Sequence, residues 1–296
     1  MAYEEQLDKI INEDGFIAAL DQSGGSTPKA LLQYDVDHSY YKNDIEMYDQ
    51  IHSMRERIVL SPSFNSKNII GAILFEMTMN KEISGKKTAK YLWEDLGIIP
   101  FLKIDSGLES EHNGVHLLKD IKDIDKKLEN AVSNGIFGTK MRSVINSASI
   151  KGINDVVDQQ FKLSHQINEH NLIPIIEPEV TISISDKENA EVILIQSILK
   201  NLEKMPKSNK VILKLSLPEI PNFYQPLMNH ENVLRVVALS GGYDQINAIK
   251  KLEFNNGMIA SFSRALTEGL SINQNDEEFN LIINKSINNI AKASKT

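Results

Sequence analysis

Eight short apolar runs recur along the 296-residue chain, and they constrain its fold more than any other feature of the sequence. Polar stretches with apolar residues at helical spacing separate most of these runs. Alternating strands and helices of this kind form parallel sheets with crossover helices, and eight such units predict an α/β fold that closes into a (β/α)8 TIM barrel. The eight runs are FIAAL (16–20), GAILF (71–75), IIPFLKI (98–104), IFGTKMR (136–142), LIPIIEP (172–178), KVILKLSL (210–217), LRVVALS (234–240) and MIASFS (258–263).

No linker rich in Pro, Gly or Ser divides the chain, so residues 1–296 are expected to form a single domain. A helix from Glu4 to Ile11 and a last one from about Asp276 to Ala293 are expected to pack outside the barrel. A doubly wound open sheet is the alternative. Neither a GxGxxG turn nor a phosphate-binding P-loop opens any helix, which favours the barrel.

Composition excludes several classes of function. The net charge of −8 argues against a nucleic-acid partner, because such a partner needs a basic face. The absence of cysteine excludes a disulfide scaffold, a thiol nucleophile and a cysteine-ligated zinc. The sequence contains no signal-peptide core and no apolar run of 18 or more residues, so no membrane partner is expected. A cytoplasmic protein is predicted, and a homo-oligomer is left open.

Charged residues or a polar loop stand at the C-terminal end of six of the eight predicted strands. Burial of an unpaired charge costs several kcal/mol, so strand interiors disfavour such residues. In a (β/α)8 barrel these strand ends converge on one mouth, where active sites lie. The residues are Asp21, Lys103, Lys140 with Arg142, Glu177 with Glu179, Lys214 and the run Ser240-Gly241-Gly242, and Arg264 follows the eighth strand.

Strand alternation places several of these side chains on one side. Lys140 and Arg142 are two residues apart and share a face, as do Glu177 and Glu179. The cations of the predicted pocket outnumber its carboxylates, although the whole chain is acidic. Such a pocket suits a small anionic substrate, and phosphate is the obvious candidate.

Lys214 lies inside the apolar run VILKL and has two interpretations. The first is a structural ion pair with a facing carboxylate, which is the more common role of an isolated strand lysine. The second is a nucleophile, because desolvation and nearby cations favour the neutral amine that can condense with a carbonyl. Lys140 would supply the nearby cation, and Glu177 on the adjacent strand would supply a base.

Two Gly-rich segments, QSGGS at 22–26 and SGG at 240–242, follow the first and seventh predicted strands. Gly pairs often mark simple turns. At strand C-termini, however, the backbone N–H groups of such turns can also bind phosphate. Two such segments across one mouth favour a substrate with a phosphate at each end.

Seven motifs along the chain resemble those of a known family. FIAALDQSGGS, FLKID, GTKMR, PIIEPEV, VILKLSLP, ALSGGY and ASFSRAL, in this order, closely resemble class I fructose-1,6-bisphosphate aldolase, the Schiff-base type, in its shorter bacterial branch. The resemblance runs from Phe16 to about Leu266. It implies a metal-independent lyase of glycolysis, without a cofactor, that reversibly cleaves fructose 1,6-bisphosphate into dihydroxyacetone phosphate and glyceraldehyde 3-phosphate.

The resemblance also implies a role for each site residue. Lys214 would form the iminium with the ketone, and Glu177 would transfer protons with help from Asp21, Lys140 and Glu179. One group would hold the phosphate next to the ketone: Ser240, Gly241, Gly242, Ser263 and Arg264. The distal phosphate would contact Ser23, Ser26 and Lys103, while Arg142 and Ser261 line the site.

Two features depart from the animal members of this family. Their terminal tyrosine, thought to aid proton exchange, has no counterpart, because the last tyrosine here is Tyr243. Their arginine after the first serine cluster is also absent, and Ala30 stands near that position with Lys29 beside it. The residue that protonates the enamine is therefore left open.

Three alternatives remain. The metal-dependent aldolases need clustered histidines, whereas the seven histidines here fall in predicted helices and loops. Another Schiff-base barrel, such as transaldolase or deoxyribose-phosphate aldolase, would share the lysine but not both phosphate segments and the EPEV run. The last alternative is an inactive barrel that binds a sugar phosphate or a protein partner.

Overall fold

The computed structural model describes residues 2–296, and Met1 of the predicted domain lies outside this range. Eight parallel strands follow one another around a single sheet, in chain order. They are β1 Phe16–Leu20, β2 Ile69–Leu74, β3 Ile99–Lys103, β4 Gly138–Ile145, β5 Ile173–Val180, β6 Val211–Ser216, β7 Val233–Leu239 and β8 Ile259–Ala260. Each contains part of one predicted apolar run, so the prediction of eight strands is confirmed.

The sheet nearly closes on itself. After β8, the backbone N–H of Ala19 donates to the carbonyl of Phe262 at 3.1 Å, which links the first and last strands. The predicted (β/α)8 barrel is therefore confirmed, and the C-terminal ends of all eight strands meet at one mouth.

Helices connect the strands and cover the sheet. The long helix Ile150–Glu169 buries an apolar stripe from Ile153 to Ile167 against the barrel. The last helix begins at Asp276 because Asn275 and Glu278 form a capping box. The helices are α1 Ala2–Asn12, α2 Thr27–Gln33, α3 Asp44–Val59, α4 Glu76–Asn80, α5 Thr88–Lys90, α6 Ile124–Ser133, α7 Ile150–Glu169, α8 Lys187–Leu202, α9 Gln225–Met228, α10 Gln245–Leu252, α11 Arg264–Thr267 and α12 Asp276–Ala293.

Short elements decorate the loops. Residues Glu82–Ile83 and Lys86–Lys87 form a two-stranded hairpin, and Val115–His116 pairs antiparallel with the end of β4. Short 3-10 turns occur at Gly24–Ser26 and His38–Tyr40, and a π-helical turn at Tyr91–Asp95. The segment HNGVH (112–116) thus forms a hairpin, and its two histidines, His112 and His116, do not share a helical face.

Strand alternation divides the core into two clusters. One lies between the strands and the surrounding helices, and the other fills the barrel interior, with Ile17, Ile73 and Phe101 among its members. Ile10 of α1 belongs to the interior cluster, and Arg235 donates to its carbonyl at 2.6 Å. Helix α1 therefore covers the N-terminal end of the barrel.

The register of β4, β5 and β6 positions the charged side chains. Arg142 of β4 lies beside Glu177 of β5 in the parallel ladder. Pairing between β5 and β6 ends at Ile176 and Leu213, one residue before Glu177 and Lys214. The backbone N–H of Glu177 instead donates to the side-chain oxygen of Gln160 on α7, at 2.9 Å.

None of the helices in residues 2–296 is both long and apolar enough to cross a membrane. We propose that the chain forms one domain. The single sheet that contains all eight barrel strands supports this proposal.

Candidate active site

A cavity of about 810 Å³ opens at the C-terminal mouth of the barrel. Every predicted site residue except Gly242 lines its wall, although these residues come from all parts of the chain. The predicted residues in the wall are Asp21, Ser23, Ser26, Lys103, Lys140, Arg142, Glu177, Glu179, Lys214, Ser240, Gly241, Ser261, Ser263 and Arg264.

Lys140 lies at the centre of a chain of buried charges. Its Nζ is 2.5 Å from Asp21 Oδ2 and 3.0 Å from Glu177 Oε2. The other oxygen of Glu177, Oε1, is 3.1 Å from Lys214 Nζ. Carboxylates and ammonium groups therefore alternate from β1 across the barrel interior to β6.

Burial and charge act in opposite directions on these groups. Burial alone would raise the pKa of Asp21 and of Glu177. The positive charges of Lys140 and Lys214 lower these pKa values by more than burial raises them, so both carboxyls have a pKa below the ordinary value. Burial lowers the pKa of Lys140, but Asp21 and Glu177 raise it above its ordinary value. Near neutral pH, Asp21 and Glu177 are thus carboxylates and Lys140 is an ammonium.

Lys214 is 4% exposed and points into the cavity between Ile212 below it and Ser216 above it. Its ion pair with Glu177 is the interaction that the structural interpretation predicts. The same contact also places a carboxylate base within reach of an amine that must lose a proton before it attacks a carbonyl. The geometry is compatible with both interpretations.

Two further strand-end cations also have partners. Lys103 Nζ is 2.6 Å from Asp105 Oδ1, and Arg142 Nε pairs with Glu179. The other carboxylate oxygen of Asp105 accepts from the backbone N–H of Arg142 at 3.3 Å. Asp105 therefore ties the segment after β3 to β4 and orients the Lys103 ammonium.

Six cationic and four anionic side chains line the cavity, which leaves two positive charges in excess. Among the described residues, Lys29 and Arg264 have no carboxylate within 4 Å. The hydroxyl of Ser261 is buried and has no hydrogen-bond partner in the part of the chain that the structure describes. These groups are free to bind an anion.

The two Gly-rich segments differ in structure. Gly241 and Gly242 have φ values of +60° and +112°, which favour glycine, and the Tyr243 N–H closes the turn on the Ser240 carbonyl at 2.9 Å. In the first segment, the Ser26 hydroxyl donates to the Ser23 carbonyl at 2.9 Å and accepts from the Ser23 N–H at 3.0 Å. The second segment therefore requires its glycines, whereas serine side chains brace the first.

Within residues 2–296, no three side chains of the metal-binding types His, Asp and Glu converge so that they could hold a metal ion. His112 and His116 lie in the hairpin beyond β3, and His116 is 3.4 Å from Glu111 at the surface. The charged and hydroxyl groups in the cavity wall are those of Lys, Arg, Asp, Glu, Ser and Tyr side chains.

Comparisons with known proteins agree with this geometry. The family model described as "Fructose-bisphosphate aldolase class-I" matches residues 4–226. The class 1 fructose-bisphosphate aldolase of Clostridium acetobutylicum is 55% identical over 293 residues, which are 99% of each chain. That of Synechocystis sp. is 53% identical over 293 residues, 99% of this chain and 98% of the relative. This chain belongs to the class I fructose-bisphosphate aldolase family.

A solved structure shares the fold. Fructose-bisphosphate aldolase from Plasmodium falciparum superposes with a TM-score of 0.72 at 19% identity, over 99% of this chain and 94% of that chain. The suspected family is confirmed, and so is its barrel architecture.

Several residues of this aldolase site were missed in the sequence analysis. Asp105 was recoverable, because it follows Lys103 by two residues in FLKID and so shares its face. Gln22 could also have been predicted as a site residue, because it directly follows Asp21. Arg55 was missed because an arginine usually faces solvent, although its spacing places it on the apolar face with Ile51 and Ile58, and its side chain is buried behind the cavity.

Proposed function

We propose that this aldolase cleaves fructose 1,6-bisphosphate reversibly into dihydroxyacetone phosphate and glyceraldehyde 3-phosphate, through a Schiff base on Lys214. One observation carries the proposal: a buried lysine at the barrel mouth lies 3.1 Å from an ionised, buried Glu177, in a cavity with excess positive charge. Family membership supports the reaction, the residue roles are those that the resemblance implies, and this geometry supports the roles of Lys214 and Glu177.

The reaction needs an electron sink, because breaking the carbon–carbon bond beta to the ketone leaves a pair of electrons on carbon. Glu177 takes one proton from Lys214, and the neutral amine adds to the ketone carbon. Glu177 then returns that proton to the former ketone oxygen, which leaves as water, and a protonated imine remains. Glu177 takes the proton from the hydroxyl on the far side of the breaking bond. The bond electrons move to the imine nitrogen and form an enamine, and the aldehyde half leaves.

The second half of the cycle restores the lysine. The enamine carbon takes a proton, water adds to the resulting imine, and dihydroxyacetone phosphate is released. Lys140 holds a positive charge between Asp21 and Glu177 throughout, because both carboxylates favour its ammonium form. This charge keeps Glu177 ionised until it accepts its proton.

The two phosphates would occupy opposite sides of the mouth. Ser240, Gly241, Gly242, Ser263 and Arg264 would bind the phosphate next to the ketone, and Ser23, Ser26 and Lys103 the distal one. Arg142 and Ser261 would line the space between them, and Glu179 would orient Arg142 through their ion pair. The unpaired Arg264 and the Gly241-Gly242 turn support the first assignment.

Borohydride trapping tests this mechanism. Reduction in the presence of dihydroxyacetone phosphate should attach the ketone fragment to Lys214, which peptide mass spectrometry distinguishes from the other buried cavity lysine, Lys140. Lys214→Met should abolish both the adduct and cleavage while the protein stays folded, because Glu177 keeps its second partner, Lys140. Lys151→Met, on the exposed face of α7, is the matched control and should retain both.

Each alternative gives a different result. An adduct on Lys140, or loss of cleavage on treatment with EDTA, would refute the proposed mechanism. An adduct on Lys214 without cleavage of fructose 1,6-bisphosphate would indicate another Schiff-base reaction. Phosphosugar binding with neither adduct nor cleavage would indicate an inactive barrel.

The partner and location follow the reaction. A phosphorylated sugar is the expected partner, and we propose that the enzyme acts in the cytoplasm, because sugar bisphosphates are too highly charged to cross membranes unaided. A homo-oligomer stays a prediction.

A further inference from the structure

Gln22 bridges the two ends of the barrel sheet at the cavity wall. It follows Asp21 at the end of β1, and its side-chain Nε2 donates to the hydroxyl oxygen of Ser263, beyond β8, at 2.6 Å. β1 and the segment after β8 are adjacent because Ala19 and Phe262 are hydrogen-bonded there. Gln22 and Ser263 both line the cavity, so this bond lies at the edge of the substrate space.

Arg55 holds Gln22 from behind. Its guanidinium, on α3, is 1% exposed and donates to the backbone carbonyl of Gln22 and, at 3.4 Å, to the Gln22 side-chain oxygen. It also donates to the hydroxyl of Thr78 at 2.6 Å. No carboxylate lies within 4 Å of this guanidinium in residues 2–296. Burial lowers the pKa of Arg55 to about 10 although Asp21 opposes the shift, so Arg55 stays charged near neutral pH.

The donor and acceptor properties of these groups fix the orientation of the chain. A guanidinium has only donors, so the Gln22 amide must turn its oxygen toward Arg55 and its NH₂ group toward Ser263. The Ser263 oxygen then accepts, and its own hydrogen has to point elsewhere. A serine held in this way presents an O–H donor to the cavity.

The groups next to the Ser263 hydroxyl suit an anion. Arg264 follows Ser263 directly, and its guanidinium nitrogen lies 3.7 Å from the position that a Cβ on Gly242 would occupy. Ser263, Arg264 and Gly241 all line the cavity, and Arg264 lies beside the Gly241-Gly242 turn. We propose that Arg55 and Gln22 are positioning residues, which orient the Ser263 hydroxyl as a donor to the phosphate next to the substrate ketone. This proposal rests on the proposed function and deepens it.

The test compares Gln22→Met, Ser263→Ala and the double variant. Gln22→Met and Ser263→Ala should each raise the KM for fructose 1,6-bisphosphate and for fructose 1-phosphate by the same factor, about 10-fold or more, because a charged acceptor loses one oriented donor. The kcat should change less than twofold. The double variant should resemble Ser263→Ala alone, since Gln22 acts through that hydroxyl.

Gln22→Glu separates orientation from folding. A carboxylate gives Arg55 an ion-pair partner, so the thermal unfolding midpoint should stay the same or rise. The same carboxylate accepts the Ser263 hydrogen and repels phosphate, so both KM values should still rise. Gln225→Met is the control: its amide donates to the Asn256 carbonyl at 2.6 Å, near the N-terminal end of β8, and its loss should leave both KM values unchanged.

The outcomes are distinct. Additive effects of Gln22→Met and Ser263→Ala would overturn the proposal, because they would show that Gln22 binds the substrate directly. Unchanged KM values in either single variant would also overturn it. Calorimetric binding of dihydroxyacetone phosphate gives the same comparison without turnover. A wild-type protein that binds this compound but forms no Lys214 adduct would count against the proposed function alone.

Discussion

Replacement of Lys140 with methionine probes the charge arrangement of the site, because the Lys140 ammonium separates two buried carboxylates. Its Nζ lies 2.5 Å from Asp21 and 3.0 Å from Glu177. Methionine fills similar space without charge. Loss of one partner from a buried ion pair costs about 3–5 kcal/mol, because the charge left behind has no compensation. We expect a loss of this size in the free energy of unfolding at neutral pH.

The pH dependence of stability should also change sign. In the wild-type protein the pKa values of Asp21 and Glu177 are lowered below the ordinary values of about 4. Their contribution to stability is therefore fully present above about pH 4 and is lost as pH falls through the folded pKa values. Without Lys140, burial and mutual repulsion raise the pKa of the carboxyl pair, so the folded state keeps about one proton that the unfolded state has lost. Stability should then fall as pH rises above about 5, by about 1.4 kcal/mol per pH unit.

Urea unfolding at several pH values between about 5 and 8 measures this slope, with the single tryptophan, Trp93, as the fluorescent probe. Lys151→Met is the control, because Lys151 pairs with Asp155 at 2.7 Å on the surface. Its loss should cost at most about 1 kcal/mol and leave the slope unchanged. Parallel pH profiles for wild-type protein and Lys140→Met would refute the electrostatic reasoning.

Two further substitutions test the turn after β7 and the covered end of the barrel. Gly241→Ala should destabilise the protein by about 1–3 kcal/mol and raise the KM for fructose 1,6-bisphosphate, because φ is +60° and the new Cβ would lie 2.7 Å from Ile182. Gly25→Ala, where a Cβ meets nothing within 4 Å, should leave stability unchanged in the same urea titration. Arg235→Met should lower the free energy of unfolding by about 2–3 kcal/mol, because hydrogen bonds to the carbonyls of Ile10 and Glu13 are lost. Its kcat should match the wild-type value, and a parallel fall in kcat would show that α1 also shapes the active site.

The barrel and most of the cavity wall could be predicted from local sequence because both follow from strand periodicity. A period of two residues places Lys140 with Arg142, and Glu177 with Glu179, on the interior face. The closed parallel topology then brings those strand ends together. The end of β4 was harder to predict from the sequence, because the strand extends to Ile145, where the distant segment Val115–His116 pairs with it.

The partners of several charged side chains could not be predicted from the sequence, because those partners are set by the tertiary structure. Lys103 was assigned to phosphate from the family resemblance, whereas its pairing with Asp105 depends on the turn after β3. Arg55 and Arg57 lie two residues apart on α3, yet Arg55 is buried against Gln22 and Arg57 pairs with Asp276 near the surface. Helical periodicity places Arg55 on the buried face of α3 with Ile51 and Ile58, and Arg57 away from it, but it does not give their partners, because those lie far away in the chain.

Helix α1 and the interior cluster around Ile10 leave the barrel open at one end only. Everything that enters must leave by the same route. Lys214 is buried and Ser26 is exposed, so in the proposed mechanism the fragment bonded to the lysine would stay inside while its counterpart departs. Because the barrel is open at one end only, the aldehyde would then leave first, and in the condensing direction it would enter last.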